Sequence, residues 1–246
     1  MPFTLAHTAI VLPFYRKRWF SATALIVGSV APDFEYFFKM GSNSEYSHTI
    51  AGIFYFNIPV VILLSFVFHL YVKRNLLHNS PRWVQRKFQD LLHFDLTSYF
   101  RKHWVVFLIS AMIGSASHVF WDSFTHGSGY FANTLWFYQG TYVPFDGVNY
   151  PLFYALQQIS TAAGLFVLFL FVFFKKSDPG AIVYQPRAKY WLTFFAIMVV
   201  AMGLRFIPFP EDVEIGNIVV SIISSTCLAA IFCGLIRLDS KVAEVA

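Results

Sequence analysis

The chain has 246 residues, of which 57% are hydrophobic, 20% aromatic and only 13% charged, with a formal net charge of +5. A soluble domain carries about 25% charged residues, so the composition, with a mean hydropathy of +0.57, excludes an ordinary soluble globular protein and points to membrane helices. The basic residues lie in connections between apolar runs, which argues against a nucleic-acid partner.

The N-terminal stretch MPFTLAHTAIVLPFYRKRW is not a secretory signal, because its positive charges follow the apolar run and no small-residue cleavage site is evident. LAHTAIVLPF is also too short to span a bilayer. Residues 3–14 are therefore expected to form a re-entrant helix, which is allowed where protein buries it. Six stretches are long enough to cross a hydrocarbon core of ~30 Å, which takes roughly 17–25 residues. They run near Trp19–Phe38, Ile50–Val72, Trp104–Trp121, Leu152–Phe174, Tyr190–Ile207 and Gly216–Ile236. Pro32 and Asp33 break the outer end of the first, and Asn57 with Pro59 predicts a kink in the second. Cys227 and Cys233 share the last run, on different helix faces, so a disulfide between them is disfavoured. The expected fold is all-α: a polytopic transmembrane helical bundle of about six spans plus a short re-entrant N-terminal helix, in one integral membrane domain, 1–246.

Loop charge gives an orientation. Arg16, Lys17 and Arg18 precede the first span. The connection 73–103 carries Lys73, Arg74, Arg82, Arg86, Lys87, Arg101 and Lys102, and the connection 175–189 carries Lys175, Lys176, Arg187 and Lys189. The stretch 122–151 has no Lys or Arg, and 209–215 carries Glu211, Asp212 and Glu214. The positive-inside rule then places both termini in the cytoplasm and the loops 39–49, 122–151 and 209–215 outside. The 73–103 connection reads as an amphipathic interfacial helix or as a solvated basic loop. The outer loop 122–151 is aromatic and suited to lipid headgroups.

Ionisable residues inside spans are costly and carry a functional hypothesis by default. Here they are Asp33, Glu35, His69, His118, Asp122 and Arg205, with His7, His48 and His126 flanking spans. In SHVFWDSFTHG, His118, Asp122 and His126 recur every four residues. His118 and Asp122 share a helix face, but His126 lies ~12 Å along the axis from His118 if the helix continues. Either the helix stops before Gly127, or His126 serves a second ion. Counting helix rise from Arg18 and from His103 brings Asp33 and His118 to the same height, ~22 Å. Asp122 is one turn higher and His48 sits at the outer end of its span, so candidate ligands from three segments share a layer near the outer face. His7 joins it through the re-entrant helix.

His nitrogens with carboxylate oxygens suit a catalytic zinc that keeps one position for water. The lack of thiolates argues against a closed structural site. The expected metal set is His7, Asp33, His48, His118, Asp122 and His126, holding one to three zinc ions, with manganese or iron as alternatives. Asp122, His126 and Glu35 are candidate catalytic groups. Arg205, as a phosphate clamp, and Gln158 are candidate substrate contacts. His69, near the inner end of its span, stands apart, and His78, His93 and His103 read as surface residues.

In their order, MPFTLAH, GSVAPDFEYF, YSHTIAG and SHVFWDSFTHG resemble a family of uncharacterised bacterial membrane proteins, a domain-of-unknown-function family, over nearly the whole chain. A more distant likeness is to LexA-regulated membrane-bound metal-dependent hydrolases. That resemblance implies a ligand set of His7, Asp33, His48, His118 and Asp122, with Glu35 where the hydrolases carry a second Asp. The residue types are also similar to those of the zinc-dependent phospholipase C group, a soluble helical fold. These likenesses imply a metal-dependent hydrolase of the bacterial inner membrane, acting on a phospholipid or another lipid phosphoester or ester at the outer leaflet. A metal-ion or small-solute transporter is the second expectation, disfavoured because the inner halves of the spans are nearly all apolar. A non-catalytic membrane scaffold is the third.

Overall fold

The structure, a computed structural model, describes residues 3–236. It is all-α apart from one two-stranded hairpin among the described residues. Five helices there are long and apolar enough to cross a membrane. We label α1 the short helix Ala22–Gly28. The five long ones are α2 (Ile50–His78), α3 (Leu96–Thr125), α4 (Leu152–Phe174), α5 (Ala188–Phe206) and α6 (Ile215–Leu235). The expected count of six spans is corrected here. Trp19–Phe38 is not one helix but α1, a 3-10 turn at Ala31–Asp33 and a separate helix at Phe34–Lys39. Pro32 has no N–H to continue α1, and α1 ends at Gly28, a poor helix residue.

The described residues form two compact units. The first comprises, among the described residues, 3–33, 45–62 and 103–174. Its N-terminal segment lies along α4: the Phe3 N–H donates to Thr161 Oγ1 at 3.1 Å, and Tyr15 meets Phe171 edge to face. Gly164 makes this possible, since a Cβ there would sit 2.7 Å from the Ala6 carbonyl oxygen. The chain turns back through the exposed Arg16–Arg18 and climbs along α3 as α1. The Ser21 N–H donates to Ser110 Oγ at 2.8 Å, and Ser115 Oγ donates to the Gly28 carbonyl at 3.3 Å. Gly28 and Gly114 let the two backbones approach, as small residues do between membrane helices. The two arms are joined where Ser29 Oγ donates to Thr8 Oγ1 at 3.3 Å. The expected re-entrant helix is thus present as one arm of a hairpin, packed on α4.

Two local features set α2. Thr49 caps it, accepting from the Gly52 N–H at 2.8 Å. The expected irregularity at Asn57–Pro59 is a π turn, Ile53–Asn57. The Pro59 ring would meet the carbonyl four residues back, and the widened turn absorbs that conflict. α3 is broken at His103 (φ −134°, ψ 33°), where the first unit resumes. The aromatic stretch after α3 holds a helix at Tyr130–Thr134 and an antiparallel hairpin, β1 (Tyr142–Phe145) with β2 (Val148–Pro151). Asp146 and Gly147 both have positive φ, as a two-residue type I′ turn requires.

The second unit comprises, among the described residues, 34–44, 63–102 and 175–236. α5 and α6 pack through Tyr190, Phe194, Ala229 and Cys233. The basic 73–103 connection includes two short helices, Arg82–Lys87 and Gln89–His93. Buried Gln85 ties it to the 175–189 connection, donating to the Tyr184 carbonyl at 2.8 Å and accepting the Tyr184 N–H at 2.7 Å.

Candidate metal centre

Four segments of the first unit converge on one cluster. The N-terminal arm supplies His7, the turn after α1 supplies Asp33, and the residues before α2 supply His48. α3 supplies His118 and Asp122 one turn apart, and His126 follows its end. Two of the imidazoles, His118 and His48, are oriented from behind. The His118 Nδ1 lies 2.7 Å from the Ser29 carbonyl, so it carries the proton and donates it, leaving Nε2 with a lone pair aimed at the carboxylates. His48 Nδ1 pairs with Ser47 Oγ at 2.9 Å, and the Ser47 carbonyl is held by Asn57 Nδ2, also at 2.9 Å. Metal-binding histidines are commonly fixed in this way, with the second ring nitrogen bonded to a carbonyl or another polar group.

The distances separate two explanations. Charge-assisted N–H···O bonds between His and Asp would be about 2.7–2.9 Å long. The contacts of this cluster are longer. His48 Nε2 is 3.3 Å from Asp33 Oδ1 and 3.4 Å from Asp122 Oδ2, while His118 Nε2 is 3.5 Å and 3.2 Å from the same two atoms. Two atoms bound tetrahedrally to one ion at ~2.0–2.1 Å stand about 3.3–3.4 Å apart. These four His–Asp edges therefore match atoms that share one ion better than a set of short salt bridges, and one ligand atom from each of the four residues lies within 4.8 Å of the others.

Burial adds an independent test. The side chains of Asp33, His118 and Asp122 are 1%, 0% and 8% exposed. Among the described residues no hydrogen bond reaches either oxygen of Asp33, either oxygen of Asp122 or Nε2 of His118. The imidazoles that face these carboxylates stand 3.2–3.5 Å away, too long for good charge-assisted bonds, so the two buried charges are poorly compensated, which is unfavourable. A divalent cation would neutralise the two carboxylates and satisfy those atoms together, so the residues present fit a metal ion. His48 and His126, at 22% and 23% exposure, form the open side.

The other expected site residues are placed as follows. His7 Nε2 reaches Asp122 Oδ1 at 3.3 Å, and the His7 ring stacks on His118 with centroids 3.7 Å apart. His126 Nδ1 is 3.4 Å from that same Asp122 oxygen. Gln158 is exposed on α4, whereas its neighbour Gln157 is buried. Glu35 and Arg205 belong to the second unit. There Glu35 accepts from Lys39 Nζ at 2.8 Å and from Ser44 Oγ at 3.0 Å. Arg205 pairs with Asp212 at 2.8 Å and donates to the Met40 carbonyl at 3.0 Å. Ser29, Ser47, Asn57 and the Gly28–Gly114 contact escaped the reading of the sequence. The small-residue runs VGSVA and IGSAS were the available signal for the last.

A multi-helix protein of membrane composition, holding a buried His/Asp cluster with metal-ligand spacing, is the class that fold and site define. The chain belongs to the family described as Domain of unknown function (DUF4184), whose profile matches residues 1–235. Comparison with curated proteins and with solved structures gave no match.

Proposed function

We propose that this protein is a membrane-embedded metal-dependent hydrolase, of the zinc type, acting on a phosphoester or ester bond of a lipid. The observation that carries the reading is the four-atom set of Asp33, His48, His118 and Asp122, with 3.2–3.5 Å His–Asp edges, three of whose residues, Asp33, His118 and Asp122, are buried. Those four residues would hold the ion. When bound, such an ion polarises a phosphoryl or carbonyl oxygen and lowers the pKa of water. The chain's own contribution is rigidity: the Ser29 carbonyl orients His118, and Ser47 orients His48, so little rearrangement is needed on binding. His48 and His126 face the open side, where substrate would enter.

A lipid substrate is supported by the helices that surround the site and by the exposed aromatics after α3, among them Trp136, Tyr142 and Phe145. The Lys- and Arg-rich connections 73–103 and 175–189 support an orientation in a bacterial inner membrane with the open side outward. Glu35 has no part in this reading, because Lys39 and Ser44 engage it.

The test is metal content and lipid turnover together. Purified protein should retain a transition metal that Asp33→Ala plus His118→Ala removes. Metal-loaded protein should release a headgroup, phosphate or fatty acid from phospholipid vesicles, read by mass spectrometry. Metal-free wild-type protein that takes up no ion from zinc buffer would refute the proposal. Tight metal binding with metal flux into proteoliposomes and no lipid product would favour a transporter instead.

A further inference from the structure

The four-atom set uses only one oxygen of Asp122. The other, Oδ1, faces His7 Nε2 at 3.3 Å and His126 Nδ1 at 3.4 Å. We infer that His7, His126 and Asp122 Oδ1 form a second position for a divalent cation, with the Asp122 carboxylate bridging two ions. This rests on the metal reading of the first position.

Three observations carry it. The first is His7, whose side chain is 1% exposed and whose two ring nitrogens have no hydrogen-bond partner among the described residues. A neutral imidazole has one donor and one acceptor, and burying both without partners is unfavourable. A ligated ion answers for the acceptor.

The second is the stack. His7 and His118 lie nearly parallel, 21° apart, with centroids 3.7 Å from each other. Ring lone pairs lie in the ring plane. Two parallel rings therefore aim their Nε2 atoms side by side, and here each meets a different oxygen of one carboxylate. That offset matches the ~3.5–4 Å separation of ions in two-metal sites. A single ion could not take both nitrogens from stacked rings.

The third is coordination number. The first position has four protein atoms, so its ion would take a substrate oxygen by expanding to five-coordinate, whereas catalytic zinc usually keeps three protein ligands and an open place. The second position has three, and His126 borders the open side. The second ion would thus add an open place for water or substrate beside the first. Two divalent ions on two carboxylates also leave a local charge of +2, which suits an anionic phosphoester. His126 Nδ1 also lies within hydrogen-bond distance of the Asp122 backbone carbonyl, at 3.3 Å, a long bond that coordination of an ion would replace.

The experiment uses the full chain in detergent micelles, stripped by chelator, titrated with Zn²⁺ alone and counted by elemental analysis. Wild type should bind two ions per chain. His126→Ala, at a partly exposed position, should bind one, and Asp33→Ala should lower the affinity for the other by at least tenfold. Loaded with Mn²⁺, wild type should give the electron paramagnetic resonance signature of a coupled pair, replaced by that of an isolated ion in His126→Ala. One ion per chain in wild type, with an uncoupled Mn²⁺ spectrum, overturns the second position and leaves the first intact. Two ions retained in His126→Ala and also in His7→Asn overturn the assignment of ligands. No ion at all overturns both positions.

Discussion

Gly114→Ala tests how the fold aims the site, at a position that touches no proposed ligand atom. A Cβ at Gly114 would lie 2.5 Å from the Leu25 carbonyl oxygen, 2.9 Å from the Ser29 nitrogen and 3.0 Å from the Gly28 Cα. Carbon–oxygen contacts between packed helices run at about 3.3–3.6 Å, so α1 must retreat from α3 by roughly 0.8 Å. The Ser29 carbonyl rides on the end of α1 and holds His118 Nδ1 at 2.7 Å. Stretched by that amount, the pair exceeds the ~3.2 Å limit of a good N–H···O bond. A buried partner left unsatisfied costs about 1–3 kcal/mol, and loss of the group that orients a metal-binding histidine lowers affinity about 10–100-fold. Zinc affinity is read by competition with a chromophoric chelator in detergent, beside a thermal melt of the metal-free protein. Ile113→Ala, one residue away and exposed, is the control. A folded Gly114→Ala protein with wild-type zinc affinity would show that α1 does not orient His118.

Three further outcomes follow from other contacts. Asn57→Ala removes the side chain that holds the Ser47 carbonyl at 2.9 Å, so stability should fall by about 1–3 kcal/mol and zinc affinity with it, measured by melting and chelator competition. Gln85→Leu should lower stability by about 1–3 kcal/mol, since the part-buried Tyr184 backbone groups lose their bonds, yet leave zinc stoichiometry unchanged, because Gln85 lies in the second unit. Asp95 caps α3 from outside the apolar stretch. The hydrogen bond from the Ser98 hydroxyl, helped by the Ser98 and Thr97 backbone N–H groups, holds its carboxyl below the usual carboxylate range. Its contribution is therefore full above that range and fades as acid protonates the folded form, so the protection of the Thr97 and Ser98 amides, taken against the intrinsic exchange rate at each pH, should fall on acidification in wild type and be low at every pH in Asp95→Ala.

Much of the site was legible because helix rise is a reliable ruler. Counting from two basic boundaries put Asp33 and His118 at one height. In the structure α1 and α3 do run side by side, with Ser21 at Ser110 and Ser29 at His118, an offset of 89 residues at both contacts. What the ruler missed was where helices stop. Gly28 and Pro32 turn an apparent span into short pieces, and hydropathy is blind to that because the pieces remain apolar. The hairpin was legible in principle, since Asp146–Gly147 between alternating apolar residues is a strong type I′ signal. Glu35, a candidate catalytic group where the hydrolases carry a second Asp, has Lys39 four residues on, where a helical ion pair forms. Side-chain to backbone contacts such as Asn57 to Ser47 leave no trace in periodicity, and only the folded chain shows them.

The spacing of His118, Asp122 and His126 is the point at which sequence and structure bear on each other most directly. One turn separates each histidine from the aspartate, so on a straight helix the two rings stand too far apart to share an ion. A carboxylate between them resolves this without bending the helix, because it has two oxygens. The structure assigns one to each neighbour: Oδ2 meets His118 at 3.2 Å and Oδ1 meets His126 at 3.4 Å. His7 and His48, brought in from outside α3, then divide the same way, His48 to Oδ2 and His7 to Oδ1. An asparagine at 122 would keep the shape but could not offer two anionic oxygens. Asp122→Asn should therefore weaken both metal positions at once, whereas Asp33→Asn, whose contacts are to His48 and His118 alone, should weaken only the first. Equal zinc loss in the two variants would contradict a shared carboxylate at the centre of the site.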